Sequence, residues 1–152
     1  MKVVRSSEVP WKQMIDHGRF FGRRKELGAG GRISAGMWEL PPGKRSFPLH
    51  RHFGTEEALF AVSGSAKVRT SEGETPISAG DYVSFPPGGV AHQIVNDGTE
   101  PFVYVGISSG LGLDVVEYPD SGKVACAHDT APNMKRYVFQ EKDQTEYWTG
   151  EE

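Results

Sequence analysis

The stretch PLHRHFGTEEALFAVSGS, residues 48–65, carries the information that decides the fold. His50 and His52 are one residue apart, and side chains on a strand repeat every second position, so both imidazoles share a face. Glu56 and Glu57 follow immediately before an apolar run, Leu59 to Val62, that Ser63-Gly64 closes. Adjacent residues on a strand point to opposite faces, so only one of these two acids can share a side with the histidines. Glu56 is the one expected to be exposed, or to serve as a hydrogen-bond partner.

A divalent cation needs several nitrogen or oxygen donors converging on one point, and borderline ions favour neutral imidazole with a carboxylate. His50 and His52 supply two imidazoles, and Glu57 follows after a short link. His92 lies in a later strand that antiparallel pairing can bring alongside. Three neutral histidines and one carboxylate leave one or two coordination positions open, as a catalytic site needs and a structural site does not.

Turn signals divide the surrounding chain into short strands. Expected strands are Ser34–Leu40, Leu59–Val62, Ala66–Thr70, Asp81–Phe85, His92–Val95, Phe102–Ile107 and Leu113–Tyr118, with Ser71–Glu74 as a hairpin turn. Arg136–Phe139 adds one more strand near the end. Strands at this spacing indicate an all-β sandwich or barrel. In the first 30 residues Lys12–Ile15 reads as a short helical turn. Arg23-Arg24-Lys25 reads as a solvated edge or dimer contact, and Gly28–Gly31 as a turn with no strand before it.

Two glycine frames bracket the donors. Gly43, His50, His52, Glu57 and Gly64 form the first, and Gly80, Pro86, Gly88, His92 and Asn96 the second. Both resemble the two motifs of the cupin superfamily, with one extra residue between Gly43 and His50 and another before His92. The resemblance implies a single-domain double-stranded β-helix, or jelly-roll, barrel. In the first motif the six residues from Ala58 to Ser63 select Glu57 over Glu56 as ligand. The implied metal set is His50, His52, Glu57 and His92, holding zinc, manganese, iron or nickel. The segments RRKELG, EYPDSGKV and EYWTGEE are similar to small cupins that carry mannose-6-phosphate-isomerase-like or sugar-phosphate-isomerase-like labels. Such small cupins form homodimers, and the resemblance implies one here. The implied layout is an N-terminal arm over residues 1–30, a barrel over 31–118 and a packed extension over 119–152.

The chain has 152 residues, 37% hydrophobic and 24% charged, with a formal net charge of -3. One domain with one core fits that length. The charge balance gives no reason to expect nucleic acid or an anionic membrane as partner. Cys126 is the single cysteine, which excludes an intrachain disulfide and a thiolate metal cage. No apolar run is long enough for a membrane span, and MKVVRSSEVPWK lacks the apolar core of a signal peptide. A cytoplasmic protein is expected.

The remaining candidates have plainer readings. Lys67 and Arg69 alternate with Ala66, Val68 and Thr70 and should face outward. Of the cations near the first motif, Arg45 is better placed than Lys44 or Arg51 to line a pocket mouth, with a solvated loop as its plainer reading, while Arg51 and Gln93 should turn away from the histidines beside them. His17, His128 and Cys126 fall outside the motif frames. Two functions follow. The first is a metal-dependent enzyme of isomerase, lyase or dioxygenase type acting on a small organic molecule. The second is a barrel that binds a small molecule without turning it over. No residue declares itself as a general base.

Overall fold

The computed structural model describes residues 1–29, 31–110, 112–128 and 135–151. Its strands are β1 (Lys12–His17), β2 (Phe20–Gly28), β3 (Ile33–Leu40), β4 (Arg51–His52), β5 (Glu57–Ser63), β6 (Ser65–Thr70), β7 (Gly73–Ser78), β8 (Tyr82–Phe85), β9 (Gln93–Val95), β10 (Phe102–Ser109), β11 (Leu113–Tyr118), β12 (Lys123–His128) and β13 (Lys135–Gln140). They form a six-stranded sheet in the order β1-β2-β3-β10-β5-β8, a four-stranded sheet β13-β12-β11-β4 and a three-stranded sheet β7-β6-β9. The result is the expected all-β jelly-roll barrel in one domain.

The two smaller sheets are joined through residues 43–50. Gly43 N–H donates to Asn96 O at 2.8 Å and Ser46 N–H to Ile94 O at 3.0 Å, and His50 and His92 exchange backbone bonds at 3.2 and 2.8 Å. The segment containing both histidines is therefore an irregular strand, held by β9 on one side and by β11 on the other.

Alternation along the strands builds the core. In β5, Leu59 and Ala61 are buried while Phe60 and Val62 face out, and in β6 Ala66 and Val68 are buried while Lys67 and Arg69 are not. The inward sets meet Leu40, Ile77, Ile94, Phe102 and Tyr104 in one cluster. At roughly 25 cal/mol per Å² of apolar area removed from water, side chains as large as Phe102 and Leu40 each contribute on the order of 2 kcal/mol. Gly64 closes the β5–β6 turn at φ +78°, and a Cβ there would stand 2.4 Å from Pro101 O, so glycine is required twice over.

Several expectations need correction. Lys12–Ile15 belongs to β1 and is not a helical turn; register pairing with β2, through a bulge between Gln13 and Ile15, supplies its hydrogen bonds. A strand, β2, does precede Gly28. β7 begins at Gly73, inside the expected hairpin turn, and β12 was not expected at all. The expected strand Arg136–Phe139 lies within β13. Gly30, part of the expected Gly28–Gly31 turn, and Glu152, at the end of EYWTGEE, lie outside the described residues.

Candidate metal centre

His50 and His52 sit on the irregular strand, His92 stands opposite His50 across a bridge, and Glu57 opens β5 in the large sheet. Their side chains converge from both sides of the barrel. Glu57 Oε2 lies 3.5 Å from His50 Nε2, 3.3 Å from His52 Nε2 and 3.3 Å from His92 Nε2. The donor atoms of His50, His52 and Glu57 all lie within 4.8 Å of one another. His92 is not in that mutual set and joins it through the shared carboxylate oxygen.

Hydrogen bonds on the far side of two rings fix which nitrogen is available. His50 Nδ1–H donates to Pro48 O at 2.7 Å, and His52 Nδ1–H donates to Asp114 Oδ2. Asp114 is anchored in turn by Gly54 N–H, donated to Oδ1 at 2.9 Å. With Nδ1–H committed to those acceptors, Nε2 is the atom turned toward Glu57, donating to it when the ring is protonated and offering a lone pair to a cation when it is neutral. His92 is held differently. Its ring stacks on Phe85 with centroids 3.6 Å apart and planes 7° from parallel, and its buried Nδ1 has no hydrogen-bond partner among the described residues.

The electrostatics follow from burial and proximity. Burial pushes the Glu57 carboxyl pKa up, but hydrogen bonds from His50, His52 and His92 outweigh it and hold it well below the usual carboxylate range. Burial pulls His52 down, yet Glu57 and Asp114 raise it above the ordinary imidazole value. For His92 burial dominates and the pKa falls. Asp114 is raised by burial and lowered further by His52 and by Gly54 N–H, ending below its ordinary value. Three imidazole nitrogens around one ionised carboxylate are a donor set that can hold a divalent cation.

The group opens into a cavity of about 180 Å³. Trp38, Phe47, Leu59, Phe85 and Ile94 form its apolar walls; Ser34, Ser46, Ser108, Tyr104 and Arg24 add polar atoms. Arg45 is not among the lining residues. Its Nη1 instead donates to Gln93 Oε1 at 3.3 Å, because buried Gln93 needs donors there. The cation in the cavity comes from the basic cluster read as a solvated edge: Arg24 turns inward, while Arg23 pairs with Glu39 at 2.6 Å and Lys25 donates to Ser6 O.

The other residues are placed as follows. Arg51 turns away to Glu117 at 2.6 Å, Lys67 pairs with Asp97 at 2.6 Å, and Arg69 pairs with Asp120 at 2.7 Å. Glu56, His17 and His128 are exposed, and Cys126 is half-buried in β12. Asn96 is fully buried, with Nδ2 donating to Leu40 O at 2.8 Å and Glu100 O at 2.9 Å, and Oδ1 accepting from Gly98 N–H at 3.0 Å. It fixes the β9–β10 turn. Sequence reasoning missed Asp114 and Arg24. The inward-facing period of β2 would have flagged Arg24 had that strand been recognised.

Residues 36–108 match the family model of the cupin domain. A gentisate 1,2-dioxygenase from Ralstonia sp is 32% identical over 135 residues, covering 79% of this chain. This chain spans only 36% of that relative's length. A solved structure from Acidithiobacillus ferrooxidans, named as a candidate sugar phosphate isomerase, is 28% identical with a TM-score of 0.79, covering 91% of this chain and 90% of its own. A sugar phosphate isomerase of the cupin superfamily from Silicibacter pomeroyi has the same TM-score of 0.79 at 19% identity, covering 94% of each chain, a likeness of fold.

Proposed function

The chain is a member of the cupin superfamily, and from that premise we propose that it is an enzyme acting on a small organic molecule through a divalent metal ion held by His50, His52, Glu57 and His92. One observation carries the reading: three Nε2 atoms from two chain segments approach a single oxygen of Glu57 within 3.3–3.5 Å, at the wall of a cavity. Like-facing imidazoles around a half-buried carboxylate have no structural use in a barrel that already has an apolar core.

When bound, such an ion supplies Lewis acidity toward a carbonyl, hydroxyl or carboxylate oxygen. The chain's own residues prepare the place for it. Pro48 O and the Asp114 carboxylate orient the imidazoles of His50 and His52, Glu57 brings one negative charge, and Phe85 holds the His92 ring. Trp38, Phe47 and Leu59 limit water around the open positions. The full-length likeness to a candidate sugar phosphate isomerase favours isomerase-type turnover as the first reaction to assay. Lyase and dioxygenase chemistry are the next.

Elemental analysis of protein purified without added metal tests the reading. About one ion per chain, lost in His52→Ala, supports it, and a metal-free native protein overturns it. A ligand that raises the melting temperature without forming product would move the assignment to a binding protein. A homodimer is the assembly we propose, since β13 ends its sheet with Tyr137, Val138 and Phe139 all more than half exposed. A monomeric mass by light scattering would refute it.

A further inference from the structure

The inner face of the large sheet has a trough. Gly36 of β3 and Gly106 of β10 stand directly opposite each other, so neither strand puts a side chain there. Arg24 of β2, which pairs with Trp38, lies across the gap. A Cβ on Gly36 would sit 2.0 Å from Arg24 Nε and 2.8 Å from its Cζ, and one on Gly106 would meet Trp38 Cδ1 at 3.1 Å. The guanidinium carbon is 5.4 Å from the Trp38 ring centroid. Two missing side chains thus admit a cation from an outer strand into the cavity that also holds His50, Glu57 and His92.

The donors of that guanidinium are only partly used. Of its five N–H groups, the Glu26 carboxylate engages one on Nη1, at 3.0 Å, and one on Nη2, at 3.1 Å. Nε is buried and has no hydrogen-bond partner among the described residues. Arg23, Arg51, Lys67 and Arg69 are each paired with an acid elsewhere, so among the described residues Arg24 is the cation lining this cavity. Ser34 and Ser108 face each other one step along the same strands, and Glu57 pairs with Ser108. The row from β2 to β5 therefore runs from a cation, past hydroxyls, to the metal-binding carboxylate. A volume of about 180 Å³ is that of about six waters, the scale of a small acid.

We propose that Arg24 anchors the anionic group of the substrate, so that the cavity takes a small organic acid with a carboxylate or phosphate oxyanion on Arg24 and its reactive end toward His50, Glu57 and His92. This rests on the function proposed above. Charge and fork geometry make the guanidinium a bidentate partner for either oxyanion. Glu26 occupies part of it in the ligand-free protein and acts as a competitor at the rim, its side chain 47% exposed against 19% for Arg24.

Calorimetric titration of the full-length, zinc-loaded protein tests this with three probes: malonate, inorganic phosphate and neutral glycerol. Malonate or phosphate should bind and glycerol should not, the tighter of the two anions identifying the group recognised. Arg24→Gln should weaken anion binding by at least about tenfold at unchanged zinc content, and Arg24→Lys should restore part of it. Glu26→Gln should tighten binding several-fold by removing the competitor. Anion affinity unchanged in Arg24→Gln, or glycerol binding as well as the anions, would overturn the inference. If Arg24→Gln does not fold, Glu26→Gln decides, and unchanged or weaker binding there sinks the proposal. Zinc stoichiometry is read separately: a chain that takes no zinc refutes the metal reading, while Arg24-dependent anion binding is still measurable without it.

Discussion

Asp114 and His52 are 62 residues apart in sequence and share a hydrogen bond from the imidazole Nδ1–H to Oδ2. The contact exists because β11 pairs with β4, setting Val116 opposite His52 and leaving Asp114 beside the ring. It settles the tautomer of one donor and adds negative charge behind it.

Asp114→Ala should therefore weaken zinc binding by roughly 10–100-fold while leaving the fold intact. Competition titration against a chromogenic chelator reads the affinity, and circular dichroism reads the fold. An affinity equal to that of the native protein would remove Asp114 from the centre.

Metal removal should cost stability. An ion present at about 100 times its dissociation constant contributes roughly 2.7 kcal/mol, so chelation should lower the melting temperature by roughly 5–10 °C in a domain of this size. The same chelator should leave His52→Ala almost unmoved. Equal shifts in both proteins would place the ion elsewhere.

Acid should release the metal. A protonated imidazole has no lone pair to give, and His52, whose pKa is raised, takes up its proton readily as pH falls. His92, whose pKa is lowered, resists protonation longer. Glu57 stays ionised throughout, since the histidines hold its pKa well down. Zinc affinity measured from about pH 7.5 to about pH 5.5 should drop by at least about tenfold; a flat profile would exclude histidine ligation.

The metal-free protein has a separate pH signature. Glu57 is depressed in the folded state, so its contribution is present above its ordinary value of 4.5 and is lost as pH falls below it. His52 acts oppositely, contributing below the ordinary 6.5 and losing that contribution as pH rises through its higher folded value. Glu57→Gln should flatten the acid limb of a urea-midpoint profile, and an unchanged acid limb would contradict the placement of Glu57.

Asn96→Ala should destabilise by about 2–4 kcal/mol, because it strands the buried Leu40 carbonyl and removes the partner of the half-buried Glu100 O and Gly98 N–H at once. Urea unfolding at constant slope measures it. A loss under about 0.5 kcal/mol would mean the β9–β10 turn holds itself.

Much of the barrel was legible because β3, β5, β6, β10 and β11 advertise themselves by β-branched and aromatic runs between glycines. The histidines and Glu57 were legible because their spacing falls within two such frames. β1, β2, β7 and β12 were not. Gly73–Ser78 is exposed at five of six positions and includes Pro76, and β12 buries only Ala125 and Ala127, so neither shows an apolar period. Their strand state comes from the neighbours they pair with. Asp114 was hidden for the same reason, since only the pairing of β11 with β4 brings it to His52. Arg24 was hidden inside a charge run that looks solvated, and what turns it inward is the absence of two side chains on strands it does not belong to.

The guanidinium in the cavity comes from residue 24, twelve positions before the window over which the family pattern holds, 36–108. On the proposal above, relatives alike throughout that window would diverge in the acid they accept, through exchanges in a peripheral ribbon that leaves the proposed metal ligands untouched. Inherited chemistry and acquired selectivity would then sit on different parts of the chain.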